Sequence, residues 1–268
     1  MILNTEEVEE FFRKISIESK NSEGTVVFTN GNDRYVETLI KNLLESQKRR
    51  CVMSVEIGVD IGVDIGVFCS DQKAYKTAVE LGMTACYVKI PSLGVDDAYN
   101  SAGAGSELYL RLCFVKILLI KYALQLGYDV LYLDPDMAFN KDCLSELIGL
   151  NAELTFANYV RNSERVFVNS NIMRVYPSPE TLEIFDFVIA RDLQTYLNML
   201  PDVGDETFLT HRLIRNGSIG ATLNTYEYPS GADSKYITQD QIKMYHANCI
   251  VGLDNKIEYL KRNQVWFV

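Results

Sequence analysis

The chain has 268 residues, 47% of them hydrophobic and 11% aromatic, which is enough apolar material to bury a substantial core. Lysine and arginine number 26 against 36 aspartates and glutamates, a formal net charge of −10 with no basic run, which argues against nucleic acid or an anionic membrane as the main partner. No composition shift or polar tract marks a linker, so a single domain over 1–268 is expected, with 1–22 as a helical extension.

In chain order, "MILNTEEVEEFFRKI" reads as an acidic amphipathic helix without the basic start and apolar centre of a signal peptide. "TVVFTN" (25–30) is a strand rich in β-branched residues, and 34–47 is a helix with apolar positions at Val36, Leu39, Ile40, Leu43 and Leu44. "IGVDIGVDIGV" (57–67) repeats a tetrapeptide whose period fits neither a strand ladder nor a solenoid, so it reads as a slipped duplication that lengthens the approach to the next strand. That strand is expected over 63–71, followed by a helix over 73–82 closed by Gly82, a strand over 85–90 stopped by Pro91, and a Gly/Ser loop over 101–106.

The apolar stretch 108–124 is interrupted by Arg111, Lys116 and Lys121, which makes it a buried helix and not a membrane span. A strand ending in "VLYLDPDMAF" (130–139) comes next. Strand-like runs at 153–158 and 167–177, a helix over 179–191 and another from about 205 complete a looser second half. Alternating strands and helices predict an α/β fold, a Rossmann-like domain with a mainly parallel sheet covered on both faces. The six cysteines, Cys51, Cys69, Cys86, Cys113, Cys143 and Cys249, lack CxxC spacing and sit mostly in apolar runs, the pattern of reduced core residues in a cytoplasmic protein.

Asp134 and Asp136 carry the chemistry. Ligands of open α/β sheets bind at the carboxyl ends of strands, and Pro135 cannot donate to a ladder, so the strand should stop there with both carboxylates at its tip. Hard oxygen ligands of this kind suit magnesium or manganese, which commonly bridge carboxylates to a substrate's phosphates. An Asp-Pro-Asp turn with no ligand is the alternative. His246 is one of only two histidines and is followed by Gly252 and Lys256 in a loop-like stretch; it is either a ligand or a buried structural ring.

"ELYLRLCFVKILLIKYALQLGYDVLYLDPDMAFNKDCLSEL" resembles the DxD region of the nucleotide-diphospho-sugar transferases with the GT-A glycosyltransferase fold. "VVFTNGNDRYVETLIKNLLES", "VFCSD", "FVNSNIMRVYPS", "GDETFLTHRL" and "HANCIVGLDNK" resemble further pieces of that family in the same order, over roughly 24–260. The resemblance implies Asp136 and His246 as ligands of Mn²⁺ or Mg²⁺, with Asp134 shared between metal and donor ribose. It implies Lys256, and Arg111 or Lys116, as counter-charges for the diphosphate. Thr29 and Asn30 would contact uridine and ribose, Asp71 the base, and Asn169, Ser170 and Asn171 the sugar.

At position 171 the family has glycine, and asparagine is the next residue most tolerant of positive φ. Asp205 matches the acidic member of the family's Asp-Gln pair, with Glu206 in place of Gln. Asp205 would orient the acceptor hydroxyl or act as base, although Asp also starts helices. The expected activity is transfer of a sugar from a nucleotide diphosphate donor, a UDP-sugar, to a glycan or glycoprotein hydroxyl, with retention or inversion left open. A DxD phosphatase, a sugar nucleotidyltransferase and a noncatalytic sugar-nucleotide-binding module are the rivals. The first expects Thr or Val where Ala138 stands, and the second needs a Gly-rich basic loop that "NGNDRYVETL" does not supply.

Overall fold

The computed structural model describes residues 4–18, 22–51, 63–90, 107–158, 167–187, 204–217 and 220–268, with the backbone alone for 107–112. Helix α1 (Thr5–Ile15) carries Glu6 and Glu7 in its first turn and Arg13 and Lys14 in its last, both favourable to the helix dipole, and buries Val8, Phe11, Phe12 and Ile15. Strand β1 (Ser16–Ile17) pairs antiparallel with β2 (Thr25–Gly31), every residue of which is buried. Asn32 then caps a helical stretch, accepting from the Tyr35 N–H, that runs as α2 (Asp33–Tyr35), a π turn (Val36–Ile40) and α3 (Lys41–Arg50).

Strand β3 (Gly66–Cys69), helix α4 (Gln72–Glu80) and strand β4 (Ala85–Tyr87) follow. The expected strand over 85–90 is shorter because β4 is the sheet edge and its partner β3 ends at Cys69, opposite Tyr87. The Gly/Ser loop and most of the tetrapeptide repeat lie outside the described residues. The last copy of the repeat supplies β3, and its glycine has a steric purpose. A Cβ on Gly66 would lie 2.6 Å from Ile15 Cδ1 and 3.0 Å from the Phe11 ring, so glycine lets α1 seat directly on the strand.

Helix α5 (Glu107–Gln125) is buried without a break from Phe114 to Ile120, as a helix enclosed by a sheet and other helices must be. No helix among the described residues is long and apolar enough to cross a membrane. After α5 come β5 (Asp129–Leu133), β6 (Met137–Phe139), α6 (Leu144–Ile148), β7 (Leu154–Asn158), β8 (Val168–Val175) and α7 (Pro179–Ile184). The chain closes with α8 (Asp205–Asn216), β9 (Ala221–Thr222), β10 (Met244–His246) and α9 (Leu253–Arg262). Helix α7 is shorter than the 179–191 expected: Phe187 leaves the helical path to stack on Phe114, ring centroids 4.6 Å apart, and 188–191 lie outside the described residues.

The main sheet has the order β4-β3-β2-β5-β8-β7-β9. Its first four strands are parallel, whereas β8 runs antiparallel to both neighbours, so the sheet is mostly parallel with β8 and the short edge strand β1 reversed. Alternation along the strands divides the core. Val26, Phe28, Val130 and Tyr132 pack with α1, α5 and α8 on one face, while Val27, Leu131 and Leu133 pack with Leu43, Phe139 and Leu147 on the other. Strands β6 and β10 form a separate antiparallel ribbon with His246 opposite Met137. Among the cysteines, Cys69, Cys86 and Cys143 are buried thiols as expected, and Cys249 is exposed with φ 57°.

Gly66→Ala is expected to destabilise the fold by about 1–3 kcal/mol through overpacking against Ile15 and Phe11. Urea denaturation checks this as a lowered midpoint at unchanged slope; an unaltered midpoint would mean that α1 does not press on β3.

Candidate active site

Strand β5 stops where Pro135 removes a donor. The Asp134 N–H donates to Asn171 O at 2.8 Å, the last rung toward β8, and the chain then turns through Asp136 into β6. The β6–β10 ribbon carries His246 alongside, and the Ala247 N–H donates to Asp136 O at 3.0 Å. One ligand atom from each of Asp134, Asp136 and His246 falls within 4.8 Å of the others. His246 Nε2 lies 3.1 Å from Asp136 Oδ1 and 3.6 Å from Asp134 Oδ2, yet it is buried and closes no hydrogen bond. A divalent cation fits among three such groups at these separations. Two carboxylates and an imidazole also form a donor set that suits a divalent cation.

Two lysines offset the carboxylates. Lys256, in the first turns of α9, donates to Asp136 Oδ2 and to Ala247 O. Lys116, on the buried stretch of α5, lies 3.1 Å from Asp134 Oδ1 and 2.9 Å from Asp205 Oδ2, and donates to Ser170 Oγ at 2.7 Å. Ser170 Oγ in turn donates to Asp205. Asp134, Asp136 and Asp205 thus face two ammonium groups, so the cluster carries one more carboxylate than lysine.

Burial raises the Asp136 carboxyl, but Lys256 and then His246 outweigh it and hold the group far below the usual carboxylate range. Asp134 is lowered likewise, burial being overcome by Lys116 and His246. Burial lowers His246, and the Asp136 and Asp134 carboxylates more than reverse this, so the ring titrates above its ordinary 6.5.

The remaining candidates differ in what they meet. Thr29, two residues before the end of β2, and Asn169, at the start of β8, have a buried Thr29 Oγ1 and Asn169 Nδ2 without a hydrogen-bond partner. Asn30 meets the Tyr132 hydroxyl at 2.8 Å, while Asn171 turns its amide nitrogen to His246 Nδ1 at 2.8 Å. Asp71 is engaged elsewhere: its Oδ1 accepts from the Ala74 N–H at 2.6 Å, capping α4, and its Oδ2 from the Asp33 N–H at 3.2 Å. Lys116 is held by Asp134, Asp205 and Ser170 at a depth that leaves it 6% exposed, not turned to water as helical lysines usually are. The Arg111 side chain lies outside the described residues. Asp205 opens α8 but makes no side-chain cap; the N-cap position is Gly204. Glu206 Oε1 accepts from the Ser170 N–H at 3.4 Å.

Two site residues escaped the reading of the sequence. Tyr132 places its hydroxyl 2.9 Å from Asp134 Oδ1, and the two-residue strand period that put Asp134 at the tip would also have put Tyr132 on the same side. Tyr35, at the junction with the π turn, stands close enough to Lys256, Asp136 and Asp134 to feel their charges, and burial raises its hydroxyl. An aromatic one turn beyond β2 was the available signal.

The family model for nucleotide-diphospho-sugar transferases matches residues 64–260, most of the chain. The chain belongs to that family. Among curated proteins none matches it by sequence. Among solved structures, mouse xyloside xylosyltransferase 1 is similar over 85% of this chain and 99% of its own, at 13% identity and a TM-score of 0.52. Glycosyltransferase GlyE of Streptococcus pneumoniae TIGR4 is similar over 89% of this chain and 60% of its own, at 14% identity and a TM-score of 0.51. The galactosyltransferase LgtC, in complex with donor and acceptor sugar analogues, is similar over 91% and 96%, at 11% identity and a TM-score of 0.50. Identities this low speak for the fold, and the fold of this nucleotide-diphospho-sugar transferase is GT-A.

The raised His246 sets the sign of a pH effect. A protonated ring cannot ligate, so divalent-cation affinity should fall as pH drops through a midpoint above 6.5. In the metal-free protein the same shift stabilises the fold below the unfolded pKa, and this contribution is lost as pH rises through the folded value. Manganese titrations across pH check the first half and melting of the metal-free protein the second; pH-independent affinity would remove His246 from the ligand set.

Proposed function

We propose that the chain is a metal-dependent glycosyltransferase that moves a sugar from a UDP-sugar to a hydroxyl of a glycan or glycoprotein. The observation that carries this reading is the convergence of Asp134, Asp136 and His246 at the carboxyl end of β5, in a chain of the nucleotide-diphospho-sugar transferase family. Asp136, His246 and Asp134 would hold manganese, or magnesium in its place. When bound, the cation supplies positive charge beside the departing diphosphate, the place where negative charge grows as the bond to the sugar breaks.

The chain's own groups divide the remaining work. Lys256 brings an ammonium to the same spot and is the residue available to counter the diphosphate, while buried Lys116 ties Asp134 to Asp205 and so fixes the donor side against the acceptor side. Asp205 meets Lys116 and Ser170 through Oδ2. Its role in this proposal is to orient the incoming hydroxyl through the other oxygen. Thr29 Oγ1 and Asn169 Nδ2 are buried polar atoms awaiting partners, suited to ribose and sugar hydroxyls. Asp71, committed to two backbone N–H groups, is not assigned to the base in this proposal.

Two substitutions separate these roles. Asp136→Asn should abolish manganese binding and donor binding together. Asp205→Asn should keep manganese affinity within about threefold and lower transfer by roughly 10²- to 10⁴-fold. Calorimetry with manganese and a panel of UDP-sugars, alongside transfer assays, measures both. Full-strength binding of a uridine nucleotide in chelator would overturn the metal-dependent reading, and equal loss of donor affinity in both variants would overturn the division of labour.

A further inference from the structure

A histidine that ligates through Nε2 must carry its proton on Nδ1, and it normally donates that proton to a carboxylate, a carbonyl or water. His246 has a different neighbour. Its Nδ1 lies 2.8 Å from the amide nitrogen of Asn171, in a place where both residues are buried. An amide nitrogen only donates, so Nδ1 must accept and the ring proton must sit on Nε2. There it lies among the carboxylates, with Asp136 Oδ1 at 3.1 Å and Asp134 Oδ2 at 3.6 Å from the nitrogen.

The orientation of the amide is itself determined by the backbone. Asn171 Oδ1 accepts from the Ile172 N–H at 2.8 Å. Turning the amide over would bring an oxygen to the ring but set the amide nitrogen against the Ile172 N–H, donor against donor. Either arrangement of the ligating tautomer therefore forfeits one buried hydrogen bond, at Nδ1 or at Ile172.

We infer that Asn171 is a positioning residue that selects the Nε2–H tautomer of His246 and thereby holds down the affinity of the Asp134, Asp136 and His246 trio for a divalent cation. The inference rests on the proposal that the trio is a metal site. The loss of one buried hydrogen bond on ligation corresponds to about a tenfold weaker site. An aspartate at 171 would remove the conflict, because its carboxylate accepts from the Ile172 N–H and from an Nδ1–H at once.

The test combines calorimetric Mn²⁺ titration with nitrogen-15 NMR of the imidazoles, in a chain whose two histidines make assignment direct. On the metal-free protein at alkaline pH, His246 should be the Nε2–H tautomer in the wild type and the Nδ1–H tautomer in Asn171→Asp. Mn²⁺ affinity should rise about tenfold or more in Asn171→Asp, and by less in Asn171→Ala, which removes the donor without adding an acceptor. An extra negative charge attracts cations by itself, so Asn171→Asp is also measured in a His246→Ala background, where most of the gain should vanish.

A wild-type Nδ1–H tautomer, no gain in Asn171→Asp, or an equal gain without His246 would each overturn the inference. If Asn171→Asp does not fold, the sign of the Asn171→Ala effect decides the affinity claim, a weakened site counting against it. Should the wild type and both variants show no Mn²⁺ binding that depends on Asp136, the metal-site proposal falls and the affinity claim with it, while the tautomer of the metal-free ring still reports whether Asn171 sets it.

Discussion

Three carboxylates brought to one end of a sheet and largely buried there impose the main constraint on this molecule. Lys116 stands within ion-pair distance of Asp134 and Asp205, and Lys256 of Asp136, so carboxylates held in a poorly solvating environment meet ammonium groups there. Removal of either lysine would take away the ammonium that a buried carboxylate meets, so the site and the surrounding helices are energetically tied together. Lys116 shows the tie most clearly: an ammonium in an otherwise apolar run of α5 is tolerable because two carboxylates and the Ser170 hydroxyl receive it.

The fold delivers those groups by separate routes. Strand β5 carries Tyr132 and Asp134 on one side by its two-residue period, and the turn at Pro135 hands Asp136 to the small β6–β10 ribbon. That ribbon, outside the main sheet, brings His246 from near the end of the chain, and the loop beyond it returns Lys256 to Asp136. Strand β8 runs against β5, so its first residues, not its last, reach the site, and Asn169, Ser170 and Asn171 arrive beside Asp134 as a result. Donor-side and acceptor-side groups then share one hydrogen-bonded network through Lys116 and Ser170.

Two polar atoms near strand ends are under-satisfied: Thr29 Oγ1, two residues from the end of β2, and Asn169 Nδ2, at the start of β8, are buried without hydrogen bonds. Native interiors rarely leave such groups unmatched. They contrast with Asp71, whose two oxygens are both used by backbone donors.

Local chemistry was enough to read most of the elements. Apolar periodicity located β2, α4, α5 and β5, Gly82 and Pro135 marked where helix and strand stop, and the pair of aspartates after a buried strand pointed to a cation at the sheet's carboxyl end, because each of these signals lies within a few neighbouring residues. The reversal of β8, the early end of α7 at Phe187, the burial of Lys116 between Asp134 and Asp205, the capping duty of Asp71 and the contact of Asn171 with His246 were decided only in three dimensions. The reason is physical: a charge or an amide takes its role from the partner it meets, and those partners come from strands and helices far apart in the chain, whose register is set by packing of the whole core and by no pattern that a short stretch of sequence can carry.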